Sequence, residues 1–275
     1  MNKIDLVLQG PANQFTIDAA VYYLNSDVVD KVIISCYETC KIPDLIHNRI
    51  KVVRIKDLEF PGLGNVNRQI TTSLNGLKNS FSQKIGKIRS DQMIHLDDLK
   101  MIVEFIYKDD KIDIEFLDGS GPAGPIFITS YLSDIPFHPR DHIFFGFTWD
   151  LIKMFEIPFN SETPPLINSN TLDKPDQNFI DYVRPEVYIG MHYFARFNSK
   201  IAEYIKEPKQ YINVSEQQTA PMIQKTWDEY LPIRDKIFKL LPLFRIDFPK
   251  YGKKGWKYIN EQKIRHSEIF TEEHI

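Results

Sequence analysis

Residues 4–8 form a short, mostly apolar run, interrupted by Asp5, that stops at Gln9-Gly10-Pro11, the pattern of a strand buried on both faces and closed by a turn. Residues 16–24 carry Ile17, Ala20, Val21 and Leu24 at helical spacing, with Thr16 as the expected N-cap. Buried strands are predicted over 32–34, 50–55 and 85–88. A second amphipathic helix is predicted over 65–77, where Val66, Ile70, Leu74 and Leu77 share a face. Beyond Asp91 the pattern predicts a helix over 98–107, a strand over 112–117, a Gly/Pro-rich loop over 118–125 and a strand over 126–130. Strands alternating with helices make a mostly parallel sheet covered by helices. Ligands of such sheets bind beyond the carboxyl ends of the strands, so three loops, 9–11, 35–38 and 89–91, are expected to line one cleft.

The second half is less periodic. Residues 133–149 mix Asp, His, Pro, Arg and aromatics, which reads as a site-forming insertion or as a structural loop. Residues 160–177 contain Pro164, Pro165 and Pro175 and little apolar content, as surface loops do. Residues 185–206 are expected to be helical, with Val187, Met191, Phe194, Ile201 and Tyr204 as the apolar face.

Composition narrows the class. With 43% hydrophobic and 26% charged residues the 275-residue chain folds. No stretch approaches the ~18 apolar residues of a membrane span, and the first residues lack the order of a signal peptide, so a cytoplasmic protein is expected. Cys36 and Cys40, the 2 cysteines, are too few for a disulfide framework or a four-ligand zinc site. The net charge of −3 hides a surplus of +6 between Lys225 and Arg265, interleaved with Phe238, Leu240, Leu241, Phe244, Trp256 and Tyr258. Such a region either adsorbs to an anionic membrane face or packs on the sheet as an amphipathic helical subdomain.

No Gly-x-Gly-x-x-Gly follows the first strand, and no phosphate-loop, Gly-x-Ser-x-Gly or His-Glu-x-x-His motif occurs, which disfavours dehydrogenase, NTPase, α/β-hydrolase and zinc-hydrolase chemistry. The densest polar clusters are Gly64-Asn65-Val66-Asn67-Arg68-Gln69, opening the second helix, and Lys87-Ile88-Arg89-Ser90-Asp91. Cations and amides beside a helix N-terminus suit a diphosphate. Asp91 at a strand end suits a divalent ion or a ribose hydroxyl. The structural alternative is an ion-pair network among Arg68, Arg89 and Asp91.

Taken in order, Gln9-Gly10-Pro11, Ser35 to Glu38, Asn67-Arg68-Gln69, Lys87 to Asp91, Asp141-His142-Ile143-Phe144-Phe145-Gly146 and Pro185-Glu186-Val187-Tyr188 resemble blocks of the WavE-type family of lipopolysaccharide and capsule synthesis proteins. The resemblance runs over about residues 4 to 195. It implies a GT-A-like, Rossmann-like α/β fold and a glycosyltransferase that moves a sugar from a nucleotide-sugar donor to a surface polysaccharide or its lipid-linked precursor. On that reading residues 1–224 are the transferase domain, with a donor-binding half (1–125) and an acceptor-side half (126–224). Residues 225–275 are a basic, aromatic-rich helical C-terminal region, a peripheral contact with the inner, anionic face of the membrane, and no nucleic acid is bound.

Site residues follow from the same resemblance. Gln9, Gly10, Pro11, Tyr37, Glu38, Asn67, Arg68, Lys87, Arg89 and Asp91 are expected at the donor, with Arg68, Lys87 and Arg89 neutralising the leaving phosphate. Glu186 or Asp141, then His142, is expected to deprotonate the acceptor hydroxyl. Asp134, Trp149, Asp150 and His192 are expected on the acceptor side. Each has a structural alternative: Glu186 and Asp150 cap helices, Asp141 bridges Arg140 or closes a turn, and the aromatics lie in the core. The chain departs from the pattern at Cys36 and Tyr37, where members tend to carry Trp and Thr. It departs again at Arg89-Ser90-Asp91, since GT-A enzymes usually hold Mg²⁺ or Mn²⁺ through Asp-x-Asp; Asp91 alone leaves the divalent cation in question. Two other classes stay open. A sugar nucleotidyltransferase typically needs a cation in its first loop, and Gly10-Pro11-Ala12-Asn13-Gln14 has none; a glycan-binding scaffold leaves the Lys87, Arg89, Asp91 cluster unexplained.

Overall fold

A computed structural model describes residues 2–43, 47–108, 112–131, 137–161, 185–206, 228–242, 244–248 and 253–259. In chain order the elements are β1 (Ile4–Gln9), α1 (Gln14–Tyr23), β2 (Val29–Tyr37), β3 (Ile50–Ile55), α2 (Val66–Lys78), β4 (Lys84–Arg89), β5 (Met93–Ile94) and α3 (Leu96–Lys108). They continue with β6 (Ile126–Ile128), β7 (Ile143–Phe147), α4 (Thr148–Phe155), α5 (Pro185–Phe194) and α6 (Ser199–Lys206). Then come α7 (228–237), β8 (Phe238–Leu240), β9 (Phe244–Phe248) and β10 (Lys253–Ile259).

Seven strands form one sheet in the order β3-β2-β1-β4-β7-β6-β8. The half from β3 to β4 is parallel, β7 runs antiparallel to both β4 and β6, and β8 pairs parallel with β6. All six residues of β1 are buried, as a central strand covered on both faces requires. Their side chains sort by the two-residue period: Ile4, Leu6 and Leu8 pack with α1 and α3, while Val7 packs with α2 on the opposite face. Helices α4 and α5 share that second face, joined by Tyr230, Ile233 and Ile237 of α7.

The expected mostly parallel sheet flanked by helices is what the chain forms. Several details differ. The cap of α1 is Asn13, whose side chain accepts the Thr16 N–H while the Thr16 hydroxyl accepts the Asn13 N–H, so Thr16 sits at the third position of a capping box. Residues 112–117 are not a strand: the Phe116 N–H goes to the Ser120 carbonyl at 2.7 Å and that of Leu117 to the Arg196 carbonyl at 2.6 Å. The helix expected over 185–206 is two helices, because Asn198 caps the second by accepting the N–H groups of Lys200 and Ile201. The segment 133–149 read as an insertion supplies β7, an interior strand.

The C-terminal region is not simply helical either. After α7 its strand β8 closes the edge of the main sheet, and β9 pairs with β5 and β10 in a second, antiparallel sheet. Phe238, Leu241 and Phe244, part of the interfacial pattern, are buried in the core. Short alternating runs rich in aromatics read equally as helix or strand until a sheet edge is available to pair with. The expected boundary between 224 and 225 lies outside the described residues.

Candidate functional site

In the sheet register Gln9 stands beside both Ser35 and Arg89, so the loops that follow β1, β2 and β4 open at one edge. They meet at a cavity of about 740 Å³, lined by Gln9, Gly10 and Pro11, by Tyr37, by Arg89, Ser90 and Asp91, and by Asn13 and Phe15 at the start of α1. Gly64, Asn65, Arg68, Gln69 and Thr72 line it from α2 and its approach, and Asp141 from the segment before β7. Gly10 has φ +123°, and a Cβ there would stand 3.1 Å from Ser90 Oγ, so the first loop lies directly on the third. The Ser90 hydroxyl donates to the Pro11 carbonyl at 2.9 Å, its N–H to that of Gln9 at 2.8 Å, and the Thr16 hydroxyl donates to the Ser90 carbonyl at 3.0 Å. These bonds fix the floor of the cavity before any ligand arrives.

The wall from α2 is built differently from the expectation. The Pro61 carbonyl accepts the N–H groups of Asn67 at 2.9 Å and Arg68 at 3.4 Å, so this helix start does not offer those amides to a diphosphate. What it offers is Arg68. Its Nε and Nη2 grip Asp57 at 3.0 and 2.7 Å, and its guanidinium lies 5.8 Å from the centre of the Tyr37 ring. The Tyr37 hydroxyl donates to the Arg68 carbonyl at 3.2 Å, and burial pushes its pKa up to about 12. The hydrogen bonds of Arg68 hold the Asp57 carboxyl below its ordinary value. Asn67 is a strut, not a donor contact: its amide donates to the Asn160 carbonyl at 2.8 Å and accepts the Asn160 N–H at 2.7 Å. Asp57, two residues beyond β3, and Gln69, which the Asn67-Arg68-Gln69 block contains without a role of its own, are functional candidates that the sequence reading missed.

At the end of β4, Arg89 donates to both oxygens of Asp91, from Nε at 3.0 Å and Nη2 at 2.9 Å, while its Nη1 lies 3.7 Å from Asp141 Oδ2. Gln69 Nε2 donates to the same Asp141 oxygen at 3.0 Å. Asp141 thus meets Arg89 and Gln69, not Arg140. Burial opposes its ionisation, but His142, Lys87 and Arg89 together hold its carboxyl below the ordinary range. Lys87 is fully buried under the cavity, its ammonium donating to the Asp141 backbone carbonyl and lying 5.2 Å from the Phe144 ring centre. Burial pushes its pKa down to about 8. It supports Asp141 from below and does not line the cavity.

A family model for WavE lipopolysaccharide synthesis matches residues 60–233, more than half of the chain. The chain belongs to this family. Within the match lie Arg68, Arg89, Asp91, Asp141 and Glu186, whereas the loops after β1 and β2 precede it. No curated protein matches. Among solved structures, this WavE family member is similar to 4-diphosphocytidyl-2C-methyl-D-erythritol synthase from Anaerococcus prevotii, with a TM-score of 0.36 and 9% identity over 56% of this chain and 74% of that one. It is also similar to UDP-glucose pyrophosphorylase complexed with UDP-glucose, with a TM-score of 0.32 and 12% identity over 56% of this chain and 79% of that one. Likeness this loose says nothing about chemistry.

The other expected residues of the WavE chain that the structure describes do not line the cavity. Because β7 runs antiparallel to β4, pairing Lys84 with Phe147, its carboxyl end and all of α4 lie at the opposite edge of the sheet. Trp149, 54% exposed under Lys153, and Asp150 are therefore remote from the cavity. Glu38 is an exposed turn residue whose N–H donates to the Ile55 carbonyl. His192 stacks on Tyr188 with ring centres 4.4 Å apart, and burial lowers its pKa to about 4. Glu186 begins α5 and faces His138 at 3.8 Å; it is not among the residues lining the cavity. His142 contacts Gln92 through Nδ1 and is pushed down to about 4 by burial, so it is neutral at pH 7. Asp134 lies outside the described residues.

A divalent cation does not fit what is present. Both oxygens of Asp91 accept from Arg89, and among the described residues no group of three or more His, Cys, Asp or Glu is placed to hold a metal.

Proposed function

We propose that this chain is a glycosyltransferase that transfers a sugar from a nucleotide-sugar donor to a growing lipopolysaccharide or capsule glycan, or to its lipid-linked precursor. The observation that carries the reading is the Asp141 carboxylate, held by Gln69 and Arg89 in a preorganised cavity where the loops after β1, β2 and β4 converge. In a single displacement the acceptor oxygen bonds to the anomeric carbon, the bond from that carbon to the phosphate oxygen breaks with its electron pair leaving on the nucleotide, and the acceptor proton passes to Asp141. Gln69 and Arg89 aim the carboxylate, and Lys87 fixes its backbone. Arg68 and Tyr37 form the wall suited to the nucleotide, a ring face beside a cation. Membership of a lipopolysaccharide synthesis family supports the glycan as acceptor. Asp141 takes the base role ahead of Glu186 because only Asp141 faces the cavity.

The test is thermal stabilisation of the full chain by UDP-, GDP-, CMP- and dTDP-sugars, followed by slow hydrolysis of whichever donor binds. A ligand at a hundred times its dissociation constant stabilises by about 2.7 kcal/mol, a shift that is readily seen. One donor that both stabilises and is hydrolysed is the expected result. Release of pyrophosphate from a nucleoside triphosphate and a sugar 1-phosphate would instead make the chain a nucleotidyltransferase, and no shift with any nucleotide would make it a scaffold.

A further inference from the structure

We propose that this chain binds its donor and neutralises the departing phosphate without a divalent cation, the Arg89 guanidinium standing where the ion of a two-carboxylate motif would be. The inference rests on the transferase reading above. Three observations converge on it. In Arg89-Ser90-Asp91 a cation occupies the position at which Asp-x-Asp has its first carboxylate. The two carboxylates that do face the cavity, Asp91 and Asp141, both turn toward that one guanidinium, at 2.9–3.0 Å and 3.7 Å. The partly buried pair, with side chains 22% and 19% exposed, is closed within one loop. An entering Mg²⁺ would have to break a bidentate, charge-assisted contact whose partners are two residues apart and give up some of its tightly held waters.

Arginine can do the ion's electrostatic work. When the bond from the anomeric carbon to the phosphate breaks, the electron pair stays on a phosphate oxygen of the departing nucleotide. A planar guanidinium fixed by Asp91 meets that developing charge with N–H donors in a geometry that matches phosphate oxygens, and it is in place before the reaction starts. Asp91 is then a positioning residue, acting through Arg89. Asp141 receives the acceptor proton as above, so no charge or electron is left unaccounted for.

The experiment measures the affinity of the full chain for the nucleotide sugar that stabilises it, in excess EDTA and with excess Mg²⁺ or Mn²⁺. Equal affinity within a factor of about two supports the inference. Binding that is lost in EDTA and restored by either ion overturns it, and this comparison decides even where a variant fails to fold. Arg89→Asp removes the cation and adds the missing carboxylate. It is expected to bind the donor about 10- to 100-fold more weakly in EDTA and to regain affinity with Mn²⁺. A folded Arg89→Asp chain that binds as tightly as the wild type in EDTA would remove Arg89 from the role. Absence of binding to every nucleotide sugar, with and without ions, fails the transferase reading itself and is distinguishable from both outcomes.

Discussion

Asp150 is fully buried in the first turn of α4, where its carboxylate accepts the N–H groups of Ala123 and Gly124 at 3.0 and 2.9 Å. Burial pushes its pKa up to about 6 in spite of those two bonds. Its ordinary value applies in the unfolded chain, so between roughly pH 4 and 6 the folded state holds a proton that the unfolded state has lost. Stability from this group is full below that window and falls as pH rises through it, an effect on the order of 3 kcal/mol. Asp150→Asn is expected to shrink by that amount the stability lost between pH 4 and pH 7 in urea titrations; an unchanged loss would show that Asp150 ionises freely in the folded chain. Sequence position placed Asp150 beside an expected acceptor site. Its actual partners, the loop N–H groups 26 and 27 residues away in the chain, carry no sequence signal. Asp141 and Glu186 show the same limit from the other side: both were legible as carboxylates in the right blocks, but only the packing before β7 decides which one meets the cavity.

At the scale of elements, α2 carries Arg68 and Gln69 and lies on β1 and β2 through Gly76. A Cβ at Gly76 would stand 2.4 Å from Val7 Cγ1 and 3.0 Å from Ser35 Cβ, so the helix must lift or tilt to accept it. Gly76→Ala gains about 1 kcal/mol of helix propensity and costs roughly 1–3 kcal/mol of overpacking. Net destabilisation with weaker donor binding is expected in chemical unfolding and donor titration, whereas a stabilised variant with normal binding would show that the helix seat is loose. The central strands were readable as apolar runs and α2 and α3 as periodic apolar faces, whereas Val21, read into the apolar face of α1, is exposed and Ala19 and Tyr23 are buried in its place. What escaped was reversal. Nothing in the run from 143 to 147 says that it pairs antiparallel to β4, and that one choice moves Trp149 and Asp150 to the far edge of the sheet.

For the molecule as a whole, the sheet is a parallel half that supplies the loops after β1, β2 and β4 and a largely antiparallel half that delivers Asp141 from the segment before β7. The basic C-terminal region belongs to this architecture: Arg245 is bound by Asp98 at 2.9 Å, Arg234 lies 4.6 Å from the Tyr131 ring centre, and β8 completes the sheet edge. Charge counting exposed the surplus but not that part of it is consumed by internal carboxylates and rings. Among the described residues no helix is long and apolar enough to cross a membrane. The central claim is that Asp141 does base chemistry in the donor cavity. It is tested most directly by the rate of nucleotide release from the donor that binds, at saturation with a glycan acceptor, in Asp141→Asn against the wild type. A loss of about 10²–10⁴-fold in that rate with donor affinity retained is the predicted result. Normal turnover in the folded variant would contradict the account.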